Sequence, residues 1–390
     1  MRLASLVLLL FFGTTNFAQN IEGSFEYDGE LREYTVFLPS VYTEGSSLPL
    51  VINLHGFGSN NSEQRLYSGM NLVAETEGFI VVYPQGLPRQ AIFGGFGNSW
   101  DAGFGTDVDD VGFLSALIDR LWTDYGIDLS RVYATGMSNG GYMSYELACS
   151  LSDRIAAVAS VTGSMTLETF DNCDPQRPVP VLQFHGTADP VVAYNGIPFF
   201  SKGIEEVIDY WVTFNGCPAP ADTTQIDDSA PNDGSTVALL AYDDCAAGTD
   251  VEFYKIFGGG HTWPGAFPIP GAGSTNQDIQ ASPLIWAFFD RYTHPDPRPG
   301  TLVVATRAPT EVGRLAVRPN PVHDLLRVEV NGLGAGELRV VDATGRPLLQ
   351  RPFPPTASLR LFTADWAAGV YTLHLRTNDG RVYARRITKL

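Results

Sequence analysis

Positive charge is scarce in this chain of 390 residues. It has 25 Lys and Arg against 43 Asp and Glu, a net charge of −18. Phosphate binding needs clustered Lys and Arg, so nucleic acid is excluded as a partner of the chain as a whole. Long apolar runs are missing too. The run from Leu3 to Phe12 is well short of the about 20 residues that a spanning helix needs. No other run reaches that length, so no transmembrane segment is expected. Cysteine is limited to Cys149, Cys173, Cys217 and Cys245, without a close Cys-x-x-Cys pair of the zinc-binding kind. No internal repeat and no heptad pattern occurs. What remains is a globular profile, 44% hydrophobic and 17% charged, with chain enough for two or three domains.

The charge is unevenly spread. Residues 310–390 carry 12 Lys and Arg and 7 Asp and Glu, while residues 1–309 carry 13 and 36. A net of +5 beside a net of −23 suggests two modules with different tasks. At the start, Met1-Arg2 precedes the apolar run, and Phe17-Ala18-Gln19 follows it. A basic start, a short apolar stretch and a small residue before a polar one describe a secretory signal peptide over residues 1–18. Export makes the cysteines candidates for disulfides rather than metal ligands. Proximity favours Cys149 with Cys173 and Cys217 with Cys245, the second pair stapling the polar segment from Pro218 to Asp244.

From residue 19 to about Tyr292 strand-like and helix-like segments alternate. Leu50–Leu54, Phe79–Tyr83, Arg131–Thr135, Ile155–Val161 and Val179–Phe184 read as buried strands, with Tyr34–Leu38 before them. Asp109 and Asp110 are expected to cap a helix whose Leu114, Leu117, Ile118 and Leu121 share one face. Tyr142–Leu151, Ile204–Phe214 and Pro283–Phe289 read as further helices. This alternation predicts an α/β fold, a mostly parallel sheet sandwiched by helices. Residues 293–314, opening on His294-Pro295-Asp296-Pro297, read as a linker. Residues 315–390 hold short β-type runs separated by turns such as Asn331-Gly332 and Asp379-Gly380, which predicts a small all-β sandwich.

Gly136-Met137-Ser138-Asn139-Gly140 stands between a strand and a helix. G-x-S-x-G alone is weak, but a strand-to-helix elbow lifts the Ser hydroxyl clear of the sheet. Three other segments strengthen it. His55-Gly56-Phe57-Gly58 follows a buried strand, so a backbone N–H near Phe57, with that of Asn139, can form an oxyanion hole. His185-Gly186-Thr187-Ala188-Asp189 puts Asp189 just past another strand, and Gly258-Gly259-Gly260-His261 puts His261 in a glycine-rich loop. The order Ser138, Asp189, His261 is that of α/β-hydrolases. Ser138 is then the nucleophile, His261 the general base and acid, and Asp189 its orienting carboxylate. His55 and His185 read as structural. Trp263, Trp100 and Phe57 are candidates for the substrate-binding surface. No cofactor or metal is implied.

These motifs, with Trp263-Pro264-Gly265, Phe79–Gly86 and Val108–Phe113, resemble the polyhydroxybutyrate depolymerase-like esterases, a family that includes feruloyl and acetylxylan esterases. The resemblance covers roughly residues 25–292. It implies an α/β-hydrolase fold and serine esterase activity on feruloyl or acetyl esters of plant polysaccharide, with short polyester second. A serine peptidase of the prolyl-oligopeptidase type shares the triad order but usually has a large preceding domain. A non-catalytic glycan-binding protein on the same scaffold is the other rival. Val317-Arg318-Pro319-Asn320-Pro321, Asp342–Gly345, Ala368-Gly369-Val370-Tyr371 and the basic end Arg385–Leu390 resemble the C-terminal sorting domain of the type IX secretion system. That resemblance implies an extracellular or cell-surface location and secretion machinery as a partner. A carbohydrate-binding module is the rival for this tail, which has one Trp, Trp366.

Overall fold

The computed structural model describes residues 17–90, 95–105, 108–298, 314–318, 322–331, 335–342, 346–353, 358–377 and 382–389. Most of the signal-peptide reading and of the 293–314 linker therefore lies outside the described residues, as do Pro319–Pro321 and Asp379-Gly380. The chain divides into two compact units, Met1–Leu302 and Val303–Leu390.

The first unit is built on one ten-stranded sheet. In chain order its elements are β1 (Gln19–Tyr27), β2 (Glu30–Leu38), β3 (Leu50–Leu54), α1 (Asn61–Ser68), α2 (Met70–Glu77) and β4 (Ile80–Pro84). A small ribbon of β5 (Leu87–Gln90) and β6 (Phe96–Ser99) precedes α3 (Asp110–Tyr125). There follow β7 (Val132–Met137), α4 (Asn139–Ser150), β8 (Ala157–Val161), α5 (Leu167–Asn172), β9 (Val181–Gly186) and α6 (Ile204–Phe214). The unit closes with β10 (Asp222–Gln225), β11 (Thr236–Tyr242), β12 (Val251–Phe257) and α7 (Ala281–Phe289).

The sheet order is β1-β2-β4-β3-β7-β8-β9-β12-β11-β10. The six strands from β4 to β12 run parallel. Antiparallel hairpins flank them at both edges. Strand side chains alternate between faces. Ile52, Val82 and Ala134 join one core with α3, α4 and α6. Val51, Val81 and Tyr133 join the other core with α2 and α7. Both faces of β3, β4, β7 and β8 are covered, which is why these strands read as nearly continuous apolar runs. Each fully buried Leu, Ile or Val in them contributes about 1.5–3 kcal/mol.

Three features differ from the sequence-based expectation. Asp109 caps α3 through Gly112 N, whereas Asp110 is buried and binds Arg32 and Arg89, each at 2.6 Å. Opposite charge, not helix capping, holds it. The polar segment stapled by the second disulfide still contributes to the core, since it forms the hairpin β10–β11 with Val237 and Ala238 buried. β12, which carries the His261 loop, was not anticipated, because Glu252 and Lys255 interrupt its apolar residues.

The cysteines pair as proximity suggests, Cys149–Cys173 and Cys217–Cys245. The second pair closes a loop with a sequence separation of 28. Loop-closure entropy of that size stabilises by about 3–4 kcal/mol. Cys217→Ser with Cys245→Ser is therefore expected to lower the denaturant midpoint by the equivalent amount. A midpoint equal to that of wild type would refute it.

The second unit contains β13 (Arg314–Arg318), β14 (Leu325–Asn331), β15 (Gly336–Asp342), β16 (Pro347–Phe353), β17 (Ser358–Phe362), β18 (Gly369–Thr377) and β19 (Val382–Lys389). They form two antiparallel sheets, β13-β14-β17 and β16-β15-β18-β19. Both contribute to one core that includes Leu326, Val328, Val340, Leu361, Leu373 and Ile387. That is the all-β arrangement expected from the short strands.

Candidate active site

Ser138 occupies the single residue between β7 and α4, with φ 55° and ψ −120°. A side chain at positive φ costs on the order of 1–3 kcal/mol, which the surrounding packing must hold in place. The glycines explain how. A Cβ on Gly140 would lie 2.2 Å from the Leu54 carbonyl oxygen and 2.8 Å from that of His55. Only glycine lets the first turn of α4 pass over the end of β3. Ser138 N donates to Val161 O at 2.9 Å, so the elbow is also tied to β8.

Asp189 follows β9 in a tight turn. Its Oδ1 accepts from the backbone N–H groups of Val191 and Val192, both at 2.8 Å. Its Oδ2 faces His261 Nδ1 at 2.8 Å. The carboxylate side chain is fully buried. The contact depends on close approach of two loops, since a Cβ on Gly186 would lie 2.1 Å from Gly259 O. Ala188 N donates to Gly259 O at 3.0 Å and His261 N to Ala272 O at 2.6 Å, fixing both backbones. An ionised carboxylate only accepts, so His261 Nδ1 carries the proton and Nε2 holds a lone pair.

Ser138 and His261 line one open cavity of about 360 Å³ with Gly56, Phe57, Met137, Tyr67, Phe267 and Ile269. Phe57 is 42% exposed, as a substrate-contacting residue needs to be. Tyr67 and Phe267 meet edge to face at 5.0 Å. Leu66 and Tyr67 were not singled out from sequence. Leu66 and Tyr67 sit in α1, whose Asn-Ser-Glu-Gln-Arg start reads as plain surface helix. A cavity of about 380 Å³ with Asp101, Asp109, Glu146, Glu168 and Asp174 in its lining contains none of Ser138, Asp189 and His261.

Trp263 and Trp100 require correction as substrate-binding residues. Trp263 is 1% exposed and belongs to the core beneath α7. Its indole N–H donates to Ser282 Oγ at 3.1 Å. Trp100 is likewise buried, with its indole N–H on His55 O. Apolar burial with a satisfied N–H is the usual state of a core tryptophan.

His55 and His185 are structural in place. Gly86 N donates to His55 Nε2 at 2.9 Å, so Nδ1 carries the proton and donates to Gly56 O at 2.8 Å. His185 Nε2 donates to Val192 O at 2.9 Å. Burial pushes both imidazoles down to about 4. Their folded values lie below the unfolded value near 6.5, so the unfolded chain binds more protons between these limits. Stability is complete above about pH 6.5 and falls as the pH drops towards 4. Urea unfolding across that window is expected to show the loss. His55→Asn is expected to flatten the slope, and an unchanged slope counts against the assignment.

Residues 32–196 match the family described as Esterase PHB depolymerase, a stretch that includes Ser138 and Asp189 and ends before His261. The "Probable feruloyl esterase C" of Aspergillus terreus is 32% identical over 229 residues, 57% of this chain and 70% of that protein. The chain belongs to this esterase family. Feruloyl esterase B of Piromyces equi is 33% identical, over 59% of this chain and 42% of its own length. The bifunctional acetylxylan esterase/xylanase XynS20E of Neocallimastix patriciarum is 30% identical, over 68% of this chain and 34% of its own. The chain thus spans less than half of either of these two relatives. Residues 316–389 match the secretion system C-terminal sorting domain, which marks an extracellular or cell-surface protein. No helix among the described residues is long and apolar enough to cross a membrane.

Proposed function

We propose that this esterase-family chain is a serine carboxylic-ester hydrolase that attacks feruloyl or acetyl esters of plant polysaccharide. The observation that carries the reading is the 2.8 Å contact of buried Asp189 with His261, in a cleft that His261 shares with the strained Ser138. His261 Nε2 takes the Ser138 hydroxyl proton as Oγ bonds the ester carbonyl carbon. The backbone N–H groups of Phe57 and Asn139 stabilise the oxyanion, the latter at the positive end of α4. His261 returns the proton to the leaving alcohol, and Asp189 stabilises the imidazolium meanwhile. Water, deprotonated by the same imidazole, then releases the acid from the acyl-enzyme.

The aromatic and apolar walls, Phe57, Tyr67, Phe267, Met137 and Ile269, favour an aryl acyl group through ring contacts. The relative named a feruloyl esterase agrees with that class, and the relative named an acetylxylan esterase agrees with acetyl esters instead. The test is a panel of methyl ferulate, acetylated xylan, p-nitrophenyl acetate and butyrate, and hydroxybutyrate oligomers. The expected order puts methyl ferulate first by kcat/KM. Preference for hydroxybutyrate oligomers would move the assignment to a polyester hydrolase. Cleavage of a dipeptide reporter alone, or glycan binding without turnover, would overturn it.

The basic second unit is read as an address removed on export. Mass spectrometry of secreted protein is expected to show loss of about the last 80 residues, and an intact C-terminus outside the cell would refute removal.

A further inference from the structure

Trp100 stands between the two segments that supply the proposed oxyanion donors. Its indole N–H donates to His55 O at 3.0 Å. Its backbone N–H donates to Asn139 Oδ1 at 2.7 Å, and its carbonyl accepts from Asn139 Nδ2 at 3.1 Å. Its ring is fully buried, 5.0 Å from the His55 imidazole. One residue therefore grips the end of β3 and the start of α4, which are joined in sequence only through distant chain.

Oxyanion stabilisation depends on donors fixed before the reaction, about 2.7–3.1 Å from where the charge will develop. Each peptide unit is planar. Holding His55 O orients the His55–Gly56 plane, and the His55 Nδ1–H bond to Gly56 O orients the Gly56–Phe57 plane that bears the Phe57 N–H. On the other side, the two-point contact with Asn139 prevents the first residue of α4 from rotating about its side chain. Any core tryptophan satisfies its indole N–H; what is particular to Trp100 is that its side-chain contact and its two backbone contacts fall on the two segments that carry the donors.

We infer that Trp100 is a positioning residue, holding the Phe57 and Asn139 backbone N–H groups at the separation a tetrahedral oxyanion needs. The inference rests on the esterase reading and goes further by naming what sets the geometry of that site.

The test uses the full-length protein with three changes: Trp100→Phe, Asn139→Ala, and Trp100 replaced by its benzothiophene isostere, which keeps the bicyclic ring and lacks the N–H. Each is measured for kcat and KM on methyl ferulate. Each is also titrated with an aryl trifluoromethyl ketone, which forms a tetrahedral adduct, and with ferulate, which does not. The expected result is a kcat lower by roughly 10–100-fold with KM within about threefold. Trifluoromethyl ketone affinity falls in parallel while ferulate affinity holds. The double variant Trp100→Phe with Asn139→Ala is expected to be no worse than the poorer single one, because contacts within one unit do not add. The inference is overturned if the isostere keeps wild-type kcat, if both inhibitors weaken equally, or if the two losses multiply. A wild type that hydrolyses no ester of the panel removes the esterase reading and this inference together; an active wild type whose variants keep kcat removes the inference alone.

Discussion

Ser138→Ala is expected to lower kcat on methyl ferulate by roughly 10⁴–10⁶-fold while leaving the melting temperature close to that of wild type. The size of the loss follows from the reaction proposed. Without Oγ no acyl-enzyme forms, and only binding and oxyanion stabilisation of a water attack remain. The fold should tolerate the change because the elbow is held by neighbours, not by the hydroxyl. Leu54 and His55 carbonyls pack on Gly140, Ser138 N is bonded to Val161 O, and alanine keeps the same Cβ at φ 55°. A fluorophosphonate should label wild type at Ser138 and leave the variant unlabelled. Undiminished turnover by the variant, or labelling elsewhere in wild type, would sink the nucleophile assignment.

The parts of the molecule legible in its sequence are those decided locally. β3, β4, β7 and β8 are covered on both faces, so each reads as a nearly continuous apolar run, interrupted by Asn53, Thr135 and Ser160. The Ser138 elbow is legible because close backbone approach at Gly136 and Gly140 demands glycine whatever surrounds it. Edge strands are less so. β10, Asp-Thr-Thr-Gln, lies at the sheet edge, is exposed throughout and carries no apolar signal, while β12, inside the sheet, is obscured because Glu252 and Lys255 interrupt its apolar residues.

Long-range choices leave no local trace. Asp110 follows the capping residue and looks like a cap itself. Its partners Arg32 and Arg89 are 78 and 21 residues away, and ion pairing at that distance has no sequence period. Trp263 illustrates the reverse difficulty. An aromatic two residues beyond His261 suggests a stacking surface, yet the turn after His261 directs the ring into the core against Ser282. The cavity wall comes instead from Leu66, Tyr67, Phe267 and Ile269, residues whose neighbourhood is settled by how α1 and the loop after His261 pack.

The carboxylate proposed to orient His261 makes the other large prediction. Asp189→Asn is expected to lower kcat by about 10⁴-fold with KM within about threefold, because the surrounding donors dictate which way the amide turns. Oδ1 accepts two backbone N–H groups, from Val191 and Val192. An asparagine must place its carbonyl oxygen there, since its NH₂ would oppose two donors. The NH₂ then occupies the Oδ2 position and points at His261 Nδ1. Two donors cannot face each other, so His261 shifts its proton to Nε2 and presents Nδ1 as the acceptor. The nitrogen that should take the Ser138 proton is then already protonated. Shape, charge at Ser138 and the cavity wall are unchanged, which is why substrate binding should survive. Asp189→Ala differs in kind. It leaves the two N–H groups and His261 without their acceptor, and unsatisfied buried groups of this sort cost about 1–3 kcal/mol each, so it should lose stability as well as rate. His185 cannot substitute, because its Nε2 donates to Val192 O at 2.9 Å and lies 3.5 Å from Asp189 Oδ2. An Asp189→Asn enzyme within tenfold of wild type would show that Asp189 only closes the turn before Val191 and that the imidazole is oriented by something else.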